Sequence, residues 1–117
     1  MDPVTRHVTL FNEGVRTGDF SAWLDTFHED CTVTFVGLPL GPIAGRPALA
    51  EAYRVHPPSS AMRVIAATEQ PERVAARFVW DAAPHTGGVF ALTLRDGLVA
   101  DLTVTLNSAP PPPATGG

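Results

Sequence analysis

The sequence predicts a single α+β domain, and three observations predict it. Helix-spaced apolar residues are confined to the first half, four strand-like segments fill the second, and the turns between those strands are too short for a crossover helix. Val4, Val8, Leu10, Phe11 and Val15 recur at helical spacing, so a first helix spans about residues 3–16, with Pro3 in its first turn. Asp19 is placed to cap a second helix that carries Phe20, Trp23, Leu24 and Phe27 and ends near His28-Glu29-Asp30. Cys31 to Val36 alternates as a strand does, and Gly37 to Pro42 reads as loop. Pro47 opens a third helix, Ala48 to Val55, and His56-Pro57-Pro58-Ser59 breaks the chain. Strands follow at about 60–69, 72–83, 88–95 and 98–106. Glu69 to Glu72 and Arg95-Asp96-Gly97 are tight turns, the second a hairpin signal, while His85-Thr86-Gly87-Gly88 reads as a looser turn. The domain is placed at residues 1–107, and the Pro-, Ala- and Gly-rich tail, 108–117, is expected to be disordered.

Composition narrows the function. A hydrophobic fraction of 44% and a charged fraction of 17% in 117 residues suit a chain with a buried core. The formal net charge is −4, and the eight basic residues, all Arg, form no cluster, so no nucleic-acid partner is expected. Cys31 is the only cysteine, which excludes an intramolecular disulfide and a thiolate metal cluster and fits a reducing cytoplasm. His7, His28, His56 and His85 show no metal-ligand spacing, so neither metal nor cofactor is expected. The polar start of the chain is unlike a signal peptide, and no apolar run approaches the roughly 18 residues of a membrane span. The expectation is a soluble cytoplasmic domain without membrane contact.

Phe11-Asn12-Glu13-Gly14, Gly18-Asp19-Phe20, Phe27 to Val33, Gly45-Arg46-Pro47-Ala48-Leu49 and Leu94 to Val99 together resemble the nuclear transport factor 2-like superfamily, over residues 4–106. That superfamily includes ketosteroid isomerases, limonene-type epoxide hydrolases and SnoaL-like polyketide cyclases. The resemblance implies a cone-shaped roll, a curved and mainly antiparallel sheet wrapped around three helices from the N-terminal half, with an apolar pocket inside. The helix-one tyrosine, the base and the oxyanion acid of ketosteroid isomerases align with Phe11, Phe35 and Phe90. A benzyl group neither accepts a proton nor donates a hydrogen bond, so that mechanism has no residues here. The water-holding Tyr and Asn of the epoxide hydrolases fall on Phe35 and Gly37. Of their Asp-Arg-Asp triad only the arginine survives, as Arg77, the aspartates aligning with Val79 and Val104. The third-helix tyrosine of ketosteroid isomerases matches Tyr53.

If that alignment turns Arg77 and Val79 inward, strand alternation turns Ala75 and Asp81 inward and Val74, Ala76, Phe78 and Trp80 outward. In the last two strands Phe90, Leu92, Leu94, Leu102, Val104 and Leu106 face the cavity and Val99 faces out. Candidate catalytic residues are then Asp81, whose carboxyl pKa desolvation would raise, together with Arg77 and Tyr53. Each also has a structural reading: a loop-solvating carboxylate, an ion-paired arginine and a core tyrosine. His7, Phe11, Trp23, Phe35, Val79, Phe90, Leu102 and Val104 are candidate substrate-binding residues. An outer row holding Phe78 and Trp80 would need covering, which predicts a homodimer through the convex sheet face. The expected partner is a small apolar molecule of polyketide, terpenoid or steroid-like character. An isomerase, cyclase or hydrolase-like enzyme leads, with a non-catalytic binder or an oligomeric scaffold as the alternatives.

Overall fold

Asp2 sets where the chain first turns helical: its Oδ1 accepts the Thr5 N–H at 2.8 Å and caps α1, Pro3–Thr17. The computed structural model describes residues 2–37 and 41–106. The tail expected to be disordered and the Leu38-Pro39-Leu40 part of the expected loop lie outside those residues. Gly18, left-handed at φ 82°, ends α1 by donating its N–H to the Gly14 carbonyl at 2.7 Å. Along α1 the buried residues are Val4, His7, Phe11 and Gly14, a single stripe at helical spacing. A Cβ on Gly14 would stand 2.3 Å from the Phe20 ring, so glycine is what lets Phe20 pack against this helix.

The second helix is one turn, α2 (Ser21–Leu24), and not the longer element expected. After it Thr26 Oγ1 donates to the Trp23 carbonyl at 2.7 Å, and Thr26 O accepts the Val99 N–H at 2.8 Å. The backbone is thereby captured by the sheet, and β1 starts early, at Phe27–Val36. Trp23 and Phe27 are both buried, at 1% and 0% exposure, because a helical turn followed by a strand brings residues four apart to the same side. A short β2 (Ile43–Ala44) precedes α3 (Arg46–Val55). Then come β3 (Met62–Gln70), β4 (Arg73–Trp80), β5 (Ala83–Arg95) and β6 (Leu98–Leu106).

The fold is α+β, three helices and a mixed, mostly antiparallel sheet of six strands in the order β2-β1-β6-β5-β4-β3, with α3 between β2 and β3 in the chain. Among the described residues β1 and β6 are the one parallel pair. Asp96 and Gly97, at φ 56° and 80°, make the β5–β6 hairpin turn that the Asp-Gly pair predicts. The β4–β5 turn sits earlier than expected, at Asp81-Ala82, and Gly87 and Gly88 lie inside β5. Register slips there: Trp80 pairs with Ala83, while the next pair is Val79 with Gly87. Pro84, which has no N–H for a ladder bond, falls in the slipped stretch. A Cβ on Gly88 would lie 2.0 Å from the Thr105 carbonyl oxygen, so glycine permits the close approach of β5 to the backbone of β6.

Asn12 ties α1 to the sheet edge. Its Nδ2 donates to Met62 O and its Oδ1 accepts the Met62 N–H, both at 2.8 Å, so one amide stands in for a neighbouring strand at the start of β3. Asn12→Ala leaves both Met62 groups without these partners and should cost about 2 kcal/mol of folding stability by urea denaturation. A loss below about 0.5 kcal/mol would show that water replaces the amide without penalty.

Candidate functional site

Between the helices and the concave sheet face lies a cavity of about 430 Å³. Its helical wall is built from His7 and Phe11 of α1, Trp23 of α2, and Ala52 and Tyr53 of α3. The sheet wall carries Phe35, Phe78, Phe90, Leu102, Val104 and Leu106. Ile43, His56, Pro58, Met62 and Trp80 also contribute, and no Asp, Glu, Lys or Arg lines the cavity among the described residues. Such a chamber rewards an apolar guest by burial and, among the described residues, offers no carboxylate, ammonium or guanidinium to pair with an ion.

The polar groups in this wall are unusual for lacking partners. His7 is 4% exposed and packed among aromatic rings, with centroids 4.9 Å from Phe90 and 5.6 Å from Trp23. Burial disfavours its imidazolium and holds its pKa at about 4. Among the described residues, His7 Nδ1 and Trp23 Nε1 are buried without a hydrogen-bond partner. Tyr53 stacks on Trp23 at 4.8 Å and 11° between planes. Burial pushes its phenol above the usual range.

Arg77 and Asp81 are not in this site. Val74, Ala76 and Phe78 of β4 are each 2% exposed, and Phe78 and Trp80 line the cavity. The expected facing of β4 is therefore inverted. Arg77 is exposed on the convex face, opposite Ala66 and Val89, and Val79 is half-buried on that same face opposite Arg63. Asp81 occupies the β4–β5 turn, its carboxylate 3.9 Å from the exposed Arg63 guanidinium. The physical reason is simple: helices cover one face of the sheet, and the apolar row of β4 takes the covered one. Val99 is likewise buried and not outward, because the β5–β6 register slips between Thr93 and Leu94. Leu92 and Leu94 border a separate cleft of about 70 Å³ and not the main cavity. Sequence reasoning missed Phe78 and Trp80 as cavity residues, and Ile43, Ala52, His56, Pro58 and Met62 as well; the unbroken apolar alternation of β4 is a signal that finds the first two.

A model of the SnoaL-like domain matches residues 4–102. The chain belongs to the SnoaL-like domain family. Solved structures agree on the architecture of this SnoaL-like domain. An NTF-2-like protein of unknown function from Burkholderia xenovorans matches with a TM-score of 0.73 at 20% identity, over 97% of this chain and 88% of that one. A candidate ketosteroid isomerase from Kribbella flavida matches with a TM-score of 0.70 at 17% identity, over 94% and 84%. A computationally designed 17-OHP binder also matches with a TM-score of 0.70 at 17% identity, over 89% and 90%. Further matches include a candidate polyketide cyclase and a candidate isomerase. At such identities the likeness is one of fold, and no curated protein matches the chain. No helix among the described residues is long and apolar enough to cross a membrane.

The buried imidazole gives the SnoaL-like domain an acid-sensitive term. His7 titrates at about 4 when folded and near the ordinary imidazole value of 6.5 when unfolded, so as pH falls through that window the unfolded chain takes up a proton that the native one refuses. Stability should drop by about 2 kcal/mol between about pH 7 and pH 5, above the usual carboxylate range. His7→Phe should flatten that slope in urea titrations, and an unchanged slope would place the proton uptake elsewhere.

Proposed function

We propose that this SnoaL-like domain binds a small, uncharged, mainly apolar molecule, of polyketide, terpenoid or steroid-like character, inside the cavity. The observation that carries the reading is an aromatic and aliphatic chamber of about 430 Å³ with no Asp, Glu, Lys or Arg in its wall among the described residues. Binding ranks above catalysis for a physical reason. Proton transfer is efficient when a group titrates near the working pH; His7 sits far below it and the Tyr53 phenol above. The designed binder among the structural matches supports the same use of the fold.

A second reading, an isomerase or cyclase, is favoured by the imidazole within the cavity and by the candidate enzymes among the matches. In that reading His7 moves the proton, and a negative charge developing on bound substrate raises its pKa toward the useful range. Pairing of two copies through the convex face is also part of the proposal. It now rests on Ile65 and Val89, 55% and 36% exposed, since Phe78 and Trp80 are interior. Sedimentation at micromolar concentration that returned the monomer mass would remove it.

The uncharged dye N-phenyl-1-naphthylamine should bind one per chain with enhanced emission. Val104→Trp, which fills the cavity from the sheet side, should weaken binding at least about tenfold, while Arg77→Ala and Asp81→Asn leave it unchanged. Equal binding by the filled variant and the parent protein would refute occupation of the cavity.

A further inference from the structure

We propose that the ligand is anchored through a single uncharged oxygen, a ketone or an alcohol, held by the helix-side residues His7, Trp23 and Tyr53, while its hydrocarbon body lies against the sheet. The proposal deepens the ligand-binding reading and rests on it.

Polar ring atoms are concentrated on the helix side of the cavity, with Trp80 at the end of β4 and His56 just after α3 as the further two polar rings in its wall. Phe35, Phe78, Phe90, Leu102, Val104 and Leu106 on the sheet wall carry no side-chain nitrogen or oxygen. Each helix, by contrast, supplies one ring with a heteroatom: His7 from α1, Trp23 from α2 and Tyr53 from α3. The three rings are contiguous, Trp23 lying 5.6 Å from His7 and 4.8 Å from Tyr53. The strand positions that align with the carboxyls of ketosteroid isomerases hold Phe35 and Phe90, so a ligand oxygen finds no carboxyl partner on the sheet, and three contiguous polar rings face it from the helices.

The unpaired atoms point to what is missing. A buried polar atom without a partner costs about 1–3 kcal/mol, and native interiors keep few of them. Two occur here on adjacent rings, His7 Nδ1 and Trp23 Nε1. Both are covered by neighbouring rings, so contact requires a small rotation of either ring into cavity space. Their chemistry selects the guest. An indole N–H only donates, a phenol donates and accepts, and a neutral imidazole does one of each. A carbonyl oxygen can therefore accept from Trp23 and Tyr53, and an alcohol can also donate to the imidazole. A carboxylate or an ammonium would enter a wall with no Asp, Glu, Lys or Arg to pair with it among the described residues.

The chain has two tryptophans, Trp23 and Trp80, and both line the cavity, so intrinsic fluorescence and the two indole N–H resonances report occupancy directly. The full chain is titrated with decalin, 2-decalone, 2-decalol and decalin-2-carboxylate. The ketone and the alcohol should move the Trp23 indole proton downfield, decalin should not, and the carboxylate should bind weakest. Tyr53→Phe keeps the stacked ring and removes only the hydroxyl; it should weaken the ketone and the alcohol about tenfold and leave decalin within about twofold. His7→Phe should discriminate in the same sense. Equal effects of both variants on all the neutral probes, with an unmoved Trp23 resonance, would overturn the oxygen anchor while leaving the cavity reading intact. Tightest binding by the carboxylate would overturn it too. Failure of every probe, decalin included, to perturb either tryptophan would overturn the cavity reading itself.

Discussion

A single curved sheet with helices on one side has one dry face, and the rest of the structure follows from which side chains claim it. Each strand alternates its residues between the covered face and the open one, so a row of apolar side chains must lie beneath the helices or stand in water. Val74, Ala76, Phe78 and Trp80 take the covered side, and Arg77 and Val79 are left on the other. Ionic groups are thereby sorted to the outside, and the interior becomes an aromatic and aliphatic chamber. The absence of charge inside is thus a consequence of the strand pattern as much as a property of the site.

The chamber stays hollow because its walls are held apart by contacts at its margins. Asn12 pins α1 to the start of β3 through two hydrogen bonds of 2.8 Å, and Thr26 joins the end of α2 to Val99 of β6. Gly14 lets Phe20 lie against α1, and Gly88 lets β5 approach the backbone of its neighbour β6 closely. Between these anchor points the rings of Phe11, Trp23, Phe27 and Tyr53 pack on one another, at centroid distances from 4.6 Å for Trp23–Phe27 to 6.5 Å for Phe11–Tyr53. Aromatic edges and faces of this kind build a stiff wall without filling the space behind it.

Function in this family cannot be inferred from architecture, since one roll serves candidate isomerases, a candidate cyclase and a designed binder alike. What distinguishes this chain is the placement of its heteroatoms. Phe35, Phe78 and Phe90 face the chamber from the sheet without a polar atom, and the polar rings His7, Trp23 and Tyr53 face it from the helices. His7, held neutral by burial, and Tyr53, held protonated, keep the chamber uncharged at neutral pH. These features favour recognition of a neutral guest over proton transfer to it.

Much of this was legible in the residues alone. Helical spacing in the first half, alternation in the second and the Asp96-Gly97 turn determined most element types and their order, because each depends on local backbone preference, while the roll came from the resemblance to a known superfamily. Tertiary structure decided the rest. Alternation says which residues of a strand share a face, never which face is covered, so only packing against α1 could turn Phe78 inward and Arg77 outward. Likewise Trp23 and Phe27 suited one long helix, and it took the capture of Thr26 by β6 to end α2 after a single turn. The meeting of His7, Trp23 and Tyr53 belongs to the same class: three rings from three helices, far apart in the chain, become neighbours only when the sheet curves around them.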